Sequence, residues 1–364
     1  MALTETSQAG RPSAAVGPEL PEAAAALGFS RTVERELVHR RNLTEVFLTD
    51  VRSVQQRSFV AAALLPLVHA HYTSHTGPTG RWAPDAVLLL ECCRQAETFA
   101  AHALFDVAMD AGFILRNWSV VLSTDTAVPQ GPGPRELLMS AVVRDADGQT
   151  GGSIRSLAYE FGLWLSGVDI GQVRMEVGYV APRTYAAIRT RRRGGPPPTS
   201  DEQPPVATGR PVDPARTGRI NPTDTLLLDA VTGPDSVTAA LRVPVENPSL
   251  FDHPQDHVPG MVLVEAARQI AALATDAWGG GAPCTTALIA VESSFSAYAE
   301  LDRPVTMAAT PPDGAGPSRA STDTADRRRV AVTFHQDGSV IARMSVVMAA
   351  VSHVTPPPGT EPKE

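Results

Sequence analysis

Two short polar clusters interrupt apolar helical stretches of this chain, and both read alike. Glu91, Arg94 and Gln95 lie in PDAVLLLECCRQ, while Glu265, Arg268 and Gln269 lie in PGMVLVEAARQ. Spacings of three and four put each trio on one helix face. A carboxylate among apolar neighbours is costly without a partner. The arginine beside it then has two possible jobs. It can neutralise the acid in a self-satisfied ion pair that stabilises the helix. Alternatively the acid is a poised base of raised pKa beside a fixed cation, which suits proton transfer. Because the cluster occurs twice among different neighbours, the catalytic reading is favoured for Glu91, Arg94, Glu265 and Arg268. Gln95 and Gln269 become candidates for binding substrate.

The approach to the second helix is FDHPQDHVPG, from Phe251 to Gly260. Pro and Gly let the chain turn sharply onto a helix N-terminus, where free backbone N–H groups and the helix dipole can hold an anion or a developing oxyanion. Gly260 allows close approach of a substrate. His253, Asp256, His257, Gly260 and Met261 are therefore candidate substrate-binding residues. For either histidine a loop hydrogen bond is the alternative. No cysteine or further histidine nearby has ligand spacing, so no metal is expected. The first half has no equivalent glycine. It reads TSHTGPTGRWAPD, with His75 some way before the helix, so the two potential sites are not equivalent. His69 and His71 read as a solvated loop. The run Arg191, Arg192, Arg193 reads as a solvated linker start that could meet an acidic partner. Cys92 and Cys93, on a buried helix, are expected to pack rather than react. There is no G-x-S-x-G elbow, P-loop, G-x-G-x-x-G or H-E-x-x-H, which removes the commonest hydrolase, nucleotide and zinc readings.

The elements that must position these residues come as one unit used twice. RNLTEVFLTDV matches INPTDTLLLDA, pairing Asn42 with Asn221, Glu45 with Asp224 and Asp50 with Asp229, each at an offset of 179. SFVAAALLP matches SVTAALRVP at an offset of 178, and the two helix motifs match at 174. Collinear matches with small indels indicate duplication. In each half, β-branched apolar segments read as strands, at Thr44–Val54 and 58–65 in the first. A long helix follows, opened by Pro84-Asp85 in the first half and running from Gly260 to Trp278 in the second. Strand-like segments come next: GFILRNWSVVL, RELLMSAVVRD, SIRSLAYEFGLWL and VRMEVGYVA, then TTALIAVESSFSAYAEL, RRVAVTFHQ and SVIARMSVVMAA. DADGQTGG and QDGS are hairpin turns. A helix such as VLLLECCRQAETFAAHAL is apolar over most of its circumference and must be buried. An antiparallel sheet curled around it is the economical solution, and that is the hotdog arrangement. The expected fold class is therefore α+β, a tandem (double) hotdog.

Length and composition agree with two domains. The 364 residues exceed one small core. Residues 1–30 read as a disordered tail, 31–188 as the first hotdog domain, 189–217 as a Pro/Arg-rich linker, 218–354 as the second hotdog domain and 355–364 as a second tail. Residues 310–326 read as a loop inside the second half. No apolar run spans a bilayer, no signal peptide is evident, and three cysteines including an adjacent pair suit no disulfide framework. A cytoplasmic protein is expected. A formal net charge of −8 argues against broad nucleic-acid binding.

HPQDHVPGMVLVEAARQ resembles the helix-approach motif of the hotdog β-hydroxyacyl carrier-protein dehydratases, with Glu265 where their catalytic acid sits. A closer resemblance is to the A-factor biosynthesis (AfsA-type) γ-butyrolactone synthase family. It is carried by VHRRNLTEVFLTD, PDAVLLLECCRQA and FDHPQDHVPGMVLVEAARQ and covers both halves. The first helix departs from that family at Pro84-Asp85-Ala86 and at Cys92. The resemblance implies acyl transfer without a cofactor. A β-ketoacyl group passes from an acyl carrier protein thioester to a hydroxyl of dihydroxyacetone phosphate, on the way to γ-butyrolactone or related furan and butenolide signals. In that setting Glu91 or Glu265 takes the alcohol proton, Gly260 and Met261 N–H groups hold the thioester oxygen, and Arg94 or Arg268 grips the phosphate. The two units would form an intramolecular pseudo-dimer, and neither nucleic acid nor membrane is an expected partner. The alternatives are a hotdog dehydratase or thioesterase on carrier-bound chains and a non-catalytic acyl- or lactone-binding protein.

Overall fold

Alternating β-branched and aromatic residues lay down twelve strands among the described residues, all in one antiparallel sheet. The computed structural model describes residues 19–75, 85–123, 134–145, 154–202, 206–312 and 327–350. The first half supplies β1 (Leu48–Gln55), β2 (Ser58–Leu65), β3 (Gly112–Leu122), β4 (Arg135–Asp145), β5 (Ser156–Leu165) and β6 (Val168–Val180). The second supplies β7 (Leu227–Thr232), β8 (Val237–Leu241), β9 (Thr286–Phe295), β10 (Thr306–Thr310), β11 (Arg327–Gln336) and β12 (Ser339–Ala350). The spatial order is β1-β2-β4-β5-β6-β3-β9-β12-β11-β10-β8-β7. The last six strands thus repeat the order of the first six in reverse, and β3 meets β9 at the centre.

Two long helices lie against this sheet, α1 (Ala86–Ala103) and α3 (Gly260–Ala277); each is eighteen residues long and buries fifteen of them. Neither helix could stand on a surface, which accounts for a sheet on which to bury them. Cys92 and Cys93 are fully buried. No helix among the described residues is long and apolar enough to cross a membrane.

Several expectations about the connecting segments are corrected. Residues 189–193, read as linker, complete a third helix, α2 (Pro182–Arg193). Pro182 opens it at a position that needs no N–H donor, and Gly194 closes it at φ 84°. The prolines that suggested a linker all lie beyond that cap. Thr217, assigned to the same linker, is fully buried. Residues 22–30, read as tail, begin with a short 3₁₀ turn whose Ala24 packs, with Leu27, against Val60 and Ala62. His71 is buried rather than solvated, and its Nδ1 lies 2.9 Å from Asp224 Oδ1 of the other half. Strand β10 was not read from the sequence. The Pro84 opening, the 146–152 turn, most of the 310–326 loop and the 355–364 tail lie outside the described residues.

The halves interlock. The Asp252 carboxylate accepts from the backbone N–H groups of Arg41 and Asn42, Ser249 Oγ donates to Glu45, and the Arg219 guanidinium donates to the His71 carbonyl.

Candidate active site

The two Glu-x-x-Arg-Gln trios fold into one clamp built twice. Glu91 Oε1 accepts from Arg40 Nη2 at 2.5 Å, Gln95 Nε2 at 2.7 Å and Arg94 Nη2 at 2.8 Å, and its Oε2 accepts from Arg94 Nε at 2.7 Å. Glu265 Oε1 accepts from Arg219 Nε at 2.9 Å, Gln269 Nε2 at 2.6 Å and Arg268 Nη2 at 2.8 Å, and its Oε2 accepts from Arg268 Nε at 2.8 Å. The clamps tie each helix to the turn before its first strand. Gln95 donates to Glu45 O and accepts from Phe47 N; Gln269 donates to Asp224 O and accepts from Leu226 N. Arg94 donates to Val38 O and Arg268 to Thr217 O. The second arginines, Arg40 and Arg219, were not singled out from the sequence. They stand at the same offset of 179, just ahead of the matched Asn42 and Asn221. His39 and Gly218, at that offset too, both have left-handed backbones, with φ 52° and 73°.

This geometry reverses the expected acid chemistry. Both carboxyls are fully buried, which alone would raise their pKa. The paired arginines outweigh burial, taking Glu91 down to about 2 and Glu265 well below the usual carboxylate range. A carboxylate held so low is a poor proton acceptor. Gln95 and Gln269 are fully buried, with their amides spent on Glu and backbone, so no substrate reaches them. Arg268 is 7% exposed and bound to Glu265 and Thr217, which leaves it no fork for a phosphate. Arg94 is 19% exposed at its side chain but similarly engaged.

Chemistry gathers elsewhere. The ladder between β3 and β9 runs from Asn117↔Ser294 to Val121↔Ala290. Beyond it the two strands part, and a cavity of about 350 Å³ lies between Phe113–Arg116 and Phe295–Ala299. Gly260 and Leu263 of α3, Ile188 and Arg192 of α2, and His257 complete its walls. Gly260 packs closely, and a Cβ there would sit 2.7 Å from Leu115 Cδ2, so the leucine would have to turn to admit one. No side chain caps α3. Val262 N and Leu263 N reach Pro259 O at 3.0 and 3.4 Å, which leaves the Gly260 and Met261 N–H groups outside the helix's own bonding.

His257 stands beside this N-terminus, with Nδ1 2.5 Å from Asp256 Oδ1. A carboxylate can only accept, so Nδ1 is the protonated nitrogen of this contact, and the one-proton tautomer that satisfies it has its lone pair on Nε2. Asp256 is held in turn by Tyr185 Oη at 3.0 Å and Arg189 Nε at 3.0 Å. Burial would raise the Asp256 carboxyl, but His257 and Arg189 override it and hold it well below its ordinary range. Arg189 is fully buried, bonds Glu300 at 2.8 and 2.9 Å, and lies 4.1 Å over the Tyr298 ring, which itself stands edge-on to His257. Sequence reasoning placed Arg189 in a linker and so missed it; the spacing of Tyr185, Ile188 and Arg189 after Pro182 is the helical signal that could have found it. His253 does not join this cavity wall. Its Nε2 lies 2.8 Å from the Gln255 side-chain nitrogen, which is the loop hydrogen bond weighed as its alternative role. Met261 is 5% exposed and is not among the residues that line the cavity.

Among sequence relatives, the chain is similar to a 2-oxo-3-(phosphooxy)propyl 3-oxoalkanoate synthase of Streptomyces virginiae, 34% identical over 318 residues, 86% of this chain and 96% of that one. A synthase of the same name from Streptomyces coelicolor is 30% identical over 312 residues, 85% and 89% of the two chains. Among solved structures, the pyran synthase domain from module nine of the sorangicin pathway matches over 84% of this chain and 98% of its own, at 13% identity and a TM-score of 0.47. The A-factor biosynthesis hotdog domain matches residues 22–175 and again residues 200–352, so the chain belongs to that hotdog family.

Proposed function

We propose that this protein moves a β-ketoacyl group from an acyl carrier protein thioester to the hydroxyl of dihydroxyacetone phosphate, forming the kind of 2-oxo-3-(phosphooxy)propyl 3-oxoalkanoate that its Streptomyces relatives are named for, toward a γ-butyrolactone-type or related furan or butenolide signal. The observation that carries the reading is the Asp256–His257 pair beside the uncapped N-terminus of α3, at the wall of a largely apolar cavity. His257 Nε2 takes the proton of the attacking hydroxyl, and Asp256 holds the ring in the tautomer that allows it. The thioester oxygen gains negative charge and is received by the Gly260 and Met261 N–H groups. As the carbon–sulfur bond breaks, His257 returns its proton to the leaving thiolate. Phe113, Leu115, Leu263 and Phe295 receive the acyl chain. Arg192, at the same wall and in no ion pair among the described residues, takes the phosphate in place of Arg94 and Arg268. Glu91, Arg94, Glu265 and Arg268 act as positioning residues that fix α1 and α3.

We read each six-strand half with its long helix as one hotdog unit, so the chain is its own pseudo-dimer and the cavity lies at the junction of the units. The boundary between them falls after α2, at Gly194.

The test is to incubate the protein with a β-ketoacyl carrier protein, with and without dihydroxyacetone phosphate, and to weigh the products. A phosphorylated β-ketoester that forms only with the alcohol is expected. His257→Asn should lower its rate by roughly 10²–10⁴-fold with unchanged thermal stability. Enoyl product or free acid without the alcohol would identify a dehydratase or thioesterase instead. Tight binding without turnover would identify a ligand-binding protein.

A further inference from the structure

Helix α2 has a second use. Its twelve residues, PRTYAAIRTRRR, contain five arginines and no acid, in a chain whose net charge is −8. Two of the five point inward. Arg189 is spent on Asp256 and Glu300, and Arg193 pairs with Glu300 and Asp302. Arg183, Arg191 and Arg192 are exposed and make no ion pair or hydrogen bond among the described residues. At 100° per residue, Arg183 and Arg191 lie on the side of α2 away from Tyr185 and Arg189, while Arg192 turns toward the cavity that it lines.

Helix stability accounts for only part of this. Arginines in the last turn are favoured by the helix dipole, which covers Arg191–Arg193. Arg183 sits in the first turn, where the same dipole disfavours a cation, and no acid is present there to offset it. Two unpaired positive charges about 12 Å apart along one exposed face are therefore left without an account in the helix itself.

We infer that the outer face of α2 is the docking surface for an acidic partner, the protein that carries the acyl thioester. The inference rests on the function proposed above. The basic face belongs to the same helix whose Ile188 and Arg192 line the cavity, so a partner held there by its acidic side can present a tethered thioester to His257. Two unneutralised arginines on this face of a chain of net negative charge also orient such a partner, because the net charge of the molecule repels it. Arg193, by pairing with Asp302, and Arg189 hold α2 rigid under that load.

The experiment compares the full-length protein with the double variant Arg183→Glu/Arg191→Glu. Binding of an apo acyl carrier protein is measured by fluorescence anisotropy at low and high salt. Transfer is then measured with two donors, the β-ketoacyl carrier protein and a β-ketoacyl N-acetylcysteamine thioester. Carrier affinity is expected to fall roughly tenfold or more at low salt, the gap narrowing as salt screens it. kcat/KM should fall in step with the carrier donor and stay unchanged with the small thioester. Equal carrier binding by both proteins would overturn the inference, as would equal losses with both donors. Failure of the wild type to transfer from either donor would defeat the proposed reaction, while the binding arm would still decide the docking surface.

Discussion

The beginnings of α1 and α3 are equivalent in the repeat and opposite in chemistry. At α1, Asp85 caps the helix itself: its Oδ1 accepts from Val87 N at 2.7 Å, and its Oδ2 lies 2.5 Å from His75 Nε2. At α3 the equivalent position is Pro259, which has no side-chain acceptor to offer. The acid there has moved back to Asp256, where it holds His257 instead of the helix. The first terminus is plugged by the protein's own carboxylate, and the second has its donors free for a ligand's oxygen. The clamps around Glu91 and Glu265 are, by contrast, nearly superimposable in their bonding. What is kept in both halves holds each helix to its own half, and what differs in one half is what the proposed reaction uses.

The clamps give the largest effect on stability. Glu265→Ala strands Arg219, which is fully buried, and Arg268 beside it, and should cost about 3–5 kcal/mol in chemical denaturation. Glu91→Ala should cost less, because Arg94 can turn toward solvent. Acid acts on the same groups. Their folded pKa values lie below the ordinary value of 4.5, so the stability they confer is whole above it and is lost as pH falls from there toward about 2 for Glu91. A Glu91→Ala or Glu265→Ala protein of full stability and no turnover would return these acids to the reaction and break the comparison.

A smaller effect comes from an acid that was not repeated. Glu97, fully buried on α1, has Ala271 as its equivalent on α3. It accepts from Tyr179 Oη at 2.7 Å and Thr98 Oγ1 at 3.0 Å, and burial pushes its pKa up to about 7. Here the sign is opposite. Between pH 4.5 and 7 the unfolded chain has lost the proton that the folded protein keeps, so stability should fall by about 3 kcal/mol as pH rises across that window. Glu97→Gln should flatten that slope in denaturation curves taken at several pH values. A slope unchanged by the substitution would show that Glu97 is already ionised. Tyr179 packs edge-on at 4.9 Å against Phe113, which lines the cavity, so Glu97 is linked to the cavity wall through two rings.

Much of this was legible in local pattern. Strands β3, β4 and β12 run over the residues their alternation marked out, because alternation and bounding turns are short-range signals. QDGS does turn left-handed, at Asp337 and Gly338. The duplication was readable for the same reason. The state of Glu91 was not, since its pKa is decided by Arg40, which lies 51 residues away. The expectation of a raised pKa counted burial and one arginine where two are present. Helix α2 was hidden by its composition, since arginines next to a proline-rich stretch look like linker whether or not they are helical. The adjacency of Asp256 and His257 was plain, but its orientation depends on Tyr185 and Arg189 packing from a distant segment.

The smallest change in stability tests the two helix beginnings directly. Asp85→Ala removes the α1 cap and should cost about 1 kcal/mol, with acyl transfer little altered, because the proposed reaction uses the other terminus. Pro259→Asp makes the reciprocal change by offering α3 the carboxylate that α1 already has. A capping side chain accepts from the N–H groups of the first turn, so it should not lower stability in a thermal melt. It competes, however, for the donors that the thioester oxygen would use, and its charge repels a developing oxyanion. Transfer should therefore fall while folding holds, with kcat affected more than KM, because the lost interaction is strongest in the transition state. If Pro259→Asp left kcat untouched while Asp85→Ala lowered it, the working terminus would be that of α1, and the assignment of the two halves would be reversed.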